Sequence, residues 1–239
     1  MNYYRILTYN LNWKNMEYRE ECLDNINRLI NKKFNNKNIG DFIFLQEVAN
    51  INKLLIGLDN NFNIIHHTSG KETMTTLINK KYNIIKTLGG QFVSGRPFLV
   101  ILLDNNICLI NVHFPHIKDI YNELDKIKNY LINNNINLDN FRIIIGGDFN
   151  IDIGKNINFM NKSLSVSKNF NTCCIRKEME YMKIQDIISL SHNYPKLRFD
   201  HILDSDNKIF KTKLFFPHKN NLILPASDHL GIYCKLNLL

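Results

Sequence analysis

The sequence predicts an α/β protein of stacked sheets, mixed or mostly antiparallel. Three observations predict it. Residues 61–110 read as one strand after another, unlike the strict βαβ alternation of a doubly wound fold. Two stretches, 17–30 and 117–132, carry apolar stripes at helical spacing. The β-branched run Ile143-Ile144-Ile145 closes on Gly146-Gly147 and reads as a buried strand.

In chain order, Arg5 to Leu11 reads as a first strand, with Asn10 near its end and the single Trp13 just beyond. Tyr18, Cys22, Ile26, Leu29 and Ile30 share one face of the first helix. Glu17, Glu20 and Glu21 load its first turn, where the helix dipole favours anions. Asp41 to Val48 is a buried strand that finishes on Gln46-Glu47. Strands follow at Phe62–His66, Met74–Ile78, Asn83–Leu88, Phe98–Leu103 and from Ile107 onward, with a turn at Asp104-Asn105-Asn106. Val112-His113-Phe114-Pro115-His116 ends that last strand. The residue before proline is held extended, which aims this stretch at a pocket, and His116 starts the second helix. Ile117, Ile120, Tyr121, Leu124, Ile127 and Leu131 form that helix's stripe. Residues 155–198 are long and weakly patterned. Leu197 to Leu203 is a strand with Asp200 and His201 on opposite faces. Ala226-Ser227-Asp228-His229 leads into the final strand, Leu230–Leu236.

Composition sets the bounds. At 239 residues, 44% of them hydrophobic, one domain over 1–239 with a full core is expected, and disorder is excluded. No apolar run is long enough to cross a bilayer. The first residues enter a strand pattern directly and do not resemble a signal peptide, so an intracellular place, cytoplasmic or nuclear, is expected. The five cysteines are odd in number and show no C-x-x-C pair, against a disulfide framework or a zinc site. The formal net charge of +8 suits polyanionic partners, although a richness in Asn, Ile and Lys produces a basic surface without any such partner.

Five strand ends carry polar groups foreign to a core: Asn10, Glu47, His113, Asp148 with Asn150, and Asp228 with His229. Asp148 and Asn150 point the same way if their strand continues. Each group alone has a plain structural use: a turn, a solvated strand end or a packed histidine. If the ends meet at one rim, two or three carboxylates hold a hard divalent cation such as Mg²⁺. A histidine oriented by a carboxylate, His229 by Asp200, then holds or protonates a phosphate.

Tyr9-Asn10, Leu45-Gln46-Glu47-Val48, Val112-His113, Gly147-Asp148-Phe149-Asn150, Arg198-Phe199-Asp200-His201 and Ser227-Asp228-His229 resemble, in order, the motifs of the endonuclease/exonuclease/phosphatase superfamily. The resemblance spans residues 5 to 236. It implies a four-layer α/β/β/α sandwich of two packed mixed sheets flanked by helices. It implies a metal-dependent hydrolase of phosphoester bonds, with Mg²⁺ on Glu47, Asp228 and Asn10, and Mn²⁺ as a substitute. Asp148 would activate water, Asn150 would hold water and the transition state, and His229, set by Asp200, would contact the phosphate. His113 would donate to that same phosphate. His201 stands where several relatives have tyrosine or arginine.

The favoured substrate is a nucleic-acid phosphodiester, cut by an endonuclease, an exonuclease or a DNA-end-processing (DNA repair) enzyme. Residues 155–198 hold eight Lys/Arg against three Asp/Glu, a net of +5, where family members carry substrate-facing loops. Phe159, Phe170, Tyr181 and Tyr194 either stack on bases or pack inward. The blocks at Arg198-Phe199-Asp200 and Ser227–Gly231 look close to those of tyrosyl-DNA phosphodiesterase-like members. The alternative is a phosphoesterase of inositol phosphates or phospholipids, and a third reading is a catalytically silent nucleic-acid-binding protein. A monomer is expected.

Overall fold

The computed structural model describes residues 3–12, 27–28, 41–48, 57–58, 60–116, 119–168, 170, 172–173, 183, 185, 198–215, 218–219, 222–223 and 227–238. Most of the expected first helix, Trp13, Tyr181 and Tyr194 lie outside them, although Asn27 and Arg28 are helical.

The strands are β1 (Tyr3–Asn10), β2 (Phe42–Gln46), β3 (Phe62–Ser69), β4 (Glu72–Asn79), β5 (Ile84–Gln91), β6 (Pro97–Leu103), β7 (Ile107–His113), β8 (Arg142–Asp148), β9 (Asn156–Phe159), β10 (Lys162–Val166), β11 (Asp200–Asp204), β12 (Ile209–Phe215), β13 (His218–Lys219), β14 (Leu222–Ile223) and β15 (Gly231–Asn237). One sheet has the order β12-β15-β1-β2-β4-β3 and the other β5-β6-β7-β8-β11-β10-β9. A separate two-stranded ribbon pairs β13 with β14. The sheets stack face to face. Tyr4, Ile6, Phe42 and Phe44 of the first pack against Leu99, Ile101, Leu109 and Ile144 of the second.

Helix α1 (Ile120–Asn133) covers the outer face of the second sheet through Ile120, Leu124, Ile127 and Leu131. It starts later than the apolar stripe suggests. Asp119 accepts from the Tyr121 N–H at 2.9 Å and so sets the first turn; an aspartate is a strong N-cap, whereas His116 lies in a bend upstream. The α/β stacked-sheet expectation therefore holds, with one helical layer among the described residues.

Two further departures concern weakly patterned sequence. Residues 156–166 form the hairpin β9–β10 at the edge of the second sheet, and β12 forms the opposite edge of the first. Phe159 and Phe170 are packed inward, so neither offers a face to a base. Cys173 is disulfide-bonded to a partner outside the described residues, contrary to the reading of the cysteine count, while Cys108 and Cys234 are buried free thiols.

Each sheet has one parallel pair near its centre, β1 with β2 and β7 with β8. Their C-terminal ends therefore point to one rim. β15 and β11 run antiparallel to β1 and β8, so their N-terminal ends reach that same rim. This topology collects Asn10, Glu47, His113, Asp148, Asp200 and His229. Gly146 and Gly147 are required by close approach. A Cβ on Gly146 would stand 2.3 Å from the Phe44 ring, and one on Gly147 2.0 Å from the Val112 carbonyl oxygen.

Candidate active site

Asp148 is the centre of the rim. β8 places it in register with His113 on β7 and Asp200 on β11. The amide of Asn10 binds its Oδ2 at 2.8 Å and also binds Glu47 Oε1 at 3.1 Å. One asparagine thus links two carboxylates. Oδ2 of Asp148 also lies 3.5 Å from His113 Nε2 and 3.8 Å from His229 Nε2. Burial alone would raise this carboxyl. The two histidines, the Asn10 amide and the Asn150 N–H outweigh it and hold Asp148 below the ordinary carboxylate value.

β8 ends at Asp148, and the chain turns there. Asn150 is left-handed (φ +51°), and its N–H caps Asp148 Oδ1 at 2.9 Å. Its side-chain amide donates to the Phe114 carbonyl at 2.8 Å, tying the end of β8 to the end of β7. The two side chains therefore do not point the same way along a continuing strand. Glu47 also has positive φ, +48°. A left-handed glutamate is strained, and such strain persists where the surroundings fix it.

His229 and Asp200 form a buried dyad, with Nδ1 to Oδ2 at 2.7 Å. Thr172, fully buried, receives the Phe199 and Asp200 N–H groups on its hydroxyl at 3.2 and 3.0 Å, and its carbonyl receives the Leu230 N–H at 2.7 Å. Ser227 receives the His229 N–H at 3.1 Å and donates to the Asn10 carbonyl at 2.7 Å. Both partners of the dyad are thus set by backbone. Burial disfavours the imidazolium, but Asp200 and Asp148 outweigh that and lift His229 to about 10. Burial lifts Asp200 to about 6 against the pull of His229. Near neutral pH the dyad is an ion pair, with a charged Nε2–H facing Asp148.

His113 is held by residues that the sequence did not single out. Its Nδ1 is 3.0 Å from Glu72 Oε2, off the line of a hydrogen bond. Its Nε2 meets Arg96 Nη1 at 2.5 Å, and Nη1 also donates to the Phe114 carbonyl at 2.7 Å. Arginine has only donors, so Nε2 accepts. Glu72 opens β4 and Arg96 comes from the β5–β6 turn, where an isolated charge carries no motif.

His201 stays out of the site. It is fully buried, edge-on to Phe149, with Nε2 2.7 Å from the Arg198 carbonyl, and burial lowers it to about 4. This fits its placement on the face of β11 opposite Asp200.

Among the described residues, two clusters could hold a metal: Glu47, Glu72 and His113; and Asp148, Asp200 and His229. Asn10 joins them. Asp228 falls in neither cluster, but its Oδ1 is buried without a hydrogen-bond partner. Carboxylate oxygens, with a buried uncompensated carboxylate atom at the edge, suit a hard divalent cation, whereas Asn10 turns its NH2 to the carboxylates and its Oδ1 accepts the Asn12 N–H at 2.9 Å.

No protein-family model matches the chain. An uncharacterized protein of Acanthamoeba polyphaga mimivirus is 28% identical over 237 residues, which cover 88% of this chain and 42% of that one. The chain thus spans less than half the length of that relative. Among solved structures, TDP2 from C. elegans matches with a TM-score of 0.69 at 15% identity, over 99% of this chain and 75% of the other. D. rerio TDP2 complexed with single-strand DNA product matches at 0.69 and 14% identity, over the whole of both chains. An endonuclease/exonuclease/phosphatase family protein from Leptotrichia buccalis matches at 0.65 and 17% identity, over 98% of this chain and all of the other. With two mixed sheets stacked face to face and six polar strand ends gathered on one rim, the chain has the fold of the endonuclease/exonuclease/phosphatase superfamily.

Proposed function

We propose that the chain is a single-domain, metal-dependent phosphodiesterase that hydrolyses a nucleic-acid phosphodiester. The observation that carries this reading is the Asp148 carboxylate, buried between two histidines and bound by the amide that also binds Glu47. Glu47 would hold Mg²⁺ (or Mn²⁺), with Asp228 at its edge; Asn10 would join only with its amide turned over, since its NH2 now faces the carboxylates and its Oδ1 accepts the Asn12 N–H. When bound, the metal polarises a phosphoryl oxygen and offsets charge.

The chain's own groups do the rest. Asp148 orients the attacking water and takes its proton. His229, held charged by Asp200, donates Nε2–H to a non-bridging phosphoryl oxygen. Asn150, pinned to Phe114, keeps the end of β8 against β7. Arg96 already occupies His113 Nε2, so the cation on that side of the pocket is the guanidinium. His113 donates to the phosphate only once Arg96 moves off Nε2 and that nitrogen takes up a proton. These donors sit where negative charge grows, in a site with little water.

Support for a nucleic-acid substrate is the +8 charge, the tyrosyl-DNA phosphodiesterase-like blocks and the fold shared with a TDP2 captured on single-strand DNA. Residues 155–198 remain the proposed contact, through their cations. The test is a cleavage panel of abasic duplex, single-stranded DNA, RNA, a 5′-tyrosyl oligonucleotide and a phosphoinositide, each with Mg²⁺ and with chelator. Mg²⁺-dependent cleavage of a nucleic acid, lost in Asp148→Asn, is expected. Turnover of the phosphoinositide alone would move the chain to the lipid-phosphate alternative.

A further inference from the structure

The outer face of the first sheet carries a row of cations at the end away from the rim. In register, Arg5 on β1 faces Lys235 on β15, and Lys235 faces Lys211 on β12. Lys213 follows opposite Tyr233. Residues directly opposite share a face, and these alternate with Ile6, Cys234 and Leu236, which point into the core between the sheets. Three positive charges thus stand abreast on three strands, an arrangement that destabilises a sheet.

No carboxylate among the described residues relieves it. Among the described residues, none of these four side chains forms an ion pair. Asp41, beneath the Arg5 backbone, is occupied by the Arg5 N–H, the Tyr82 hydroxyl and Lys81. Instead the cations gather on an aromatic ring. Lys235 Nζ lies 4.0 Å from the Tyr3 ring centroid and donates to its hydroxyl at 2.8 Å. Arg5 Nη2 donates to the same hydroxyl at 3.1 Å. A phenol that accepts from two cations positions them and leaves their charge uncompensated. Phe210, 48% exposed, meets Tyr3 edge-on with centroids 5.8 Å apart.

We propose that this face binds a single-stranded nucleic-acid segment, with phosphates on Arg5, Lys235, Lys211 and Lys213 and a base on Phe210. The surface is distinct from the catalytic rim. β1 joins the two over seven residues, roughly 23 Å at 3.3 Å per residue. Short substrates would miss the patch, and longer ones would gain from it.

Binding is measured apart from hydrolysis, so the proposal stands or falls independently of the catalytic reading. A labelled single strand of about 16 nucleotides is titrated by fluorescence anisotropy, with chelator, over a range of salt. Lys211→Gln combined with Lys235→Gln should weaken binding about 10-fold and reduce the salt slope by about 1.4, or about 0.7 for each lost phosphate contact. Phe210→Ala should weaken it about 5-fold. Arg at both lysine positions should retain binding, which separates charge from folding. The glutamine pair should also raise Tm, because the like-charge row is relieved. Unchanged affinity and slope in the glutamine pair would overturn the proposal. So would lost binding in the arginine pair, or an effect seen only on phosphatidylserine vesicles.

Discussion

His229 and His113 flank the same carboxylate and are held in opposite ways. His229 has a carboxylate hydrogen-bonded at Nδ1 and a charged Nε2–H turned to the pocket. His113 has its Nε2 taken by a guanidinium, and its carboxylate neighbour Glu72 sits off line. One histidine therefore delivers charge itself, while the other serves as a rest for an arginine that does. Both rings, with the Asn10 amide and the Asn150 N–H, hold the buried Asp148 below its ordinary value, but only His229 turns an Nε2–H to the pocket.

Replacing the shared carboxylate tests the contrast most strongly. Asp148→Asn should lower metal-dependent cleavage by about 10³-fold or more and leave Tm within a few degrees, by calorimetry and a gel assay. Parental activity in that variant would remove Asp148 from the chemistry. His229→Gln should cost about 10²–10⁴-fold in kcat, and Asp200→Asn about 10–100-fold, since it acts through His229. If Asp200→Asn were the more damaging, the dyad would be misread. Arg96→Ala should slow cleavage about 10-fold or more, chiefly in kcat, because Nη1 serves both His113 and the Phe114 carbonyl. Glu72→Gln should have the smallest effect, below about 10-fold. A Glu72 loss rivalling that of Asp200 would make the two histidines equivalent.

A pH scan sharpens the same comparison without substrate. The folded His229 titrates at about 10, above its ordinary 6.5. The stability it contributes is complete below 6.5 and is lost as pH rises through about 10. Tm of the metal-free protein should therefore fall over that window, and His229→Gln should flatten the fall. An equal fall in parent and variant would show that the imidazolium is not held by Asp200 and Asp148.

The sequence made one class of residue visible. Asn10, Glu47, His113, Asp148 and His229 stand at the ends of apolar runs, where a polar group has no place in a core, and the parallel and antiparallel pairings bring those ends together. Glu72 and Arg96 were hidden because one opens a hairpin strand and the other sits in a turn, where charges are ordinary. β9, β10 and β12 were hidden for a related reason. β9 and β12 are edge strands and β10 lies next to an edge; such strands bury one face or less, so their alternation is diluted by Asn, Lys and Ser. The Asn150 turn was missed because a strand rule was carried past the point where Asp148 captures the Asn150 N–H.

Behind the rim, Gln46 on β2 reaches across the interior to Asn111 on β7, with Nε2 to Oδ1 at 2.7 Å. Asn111 answers with its own amide to the Thr75 carbonyl and the Thr76 hydroxyl, both at 3.1 Å. Apolar layers slide past one another easily; a dry amide clasp does not. Because Glu47 comes from one sheet and Asp148 from the other, that clasp makes their separation a property of the scaffold rather than of the loops. The spacing of the two carboxylates therefore does not depend on how the loops around them are arranged.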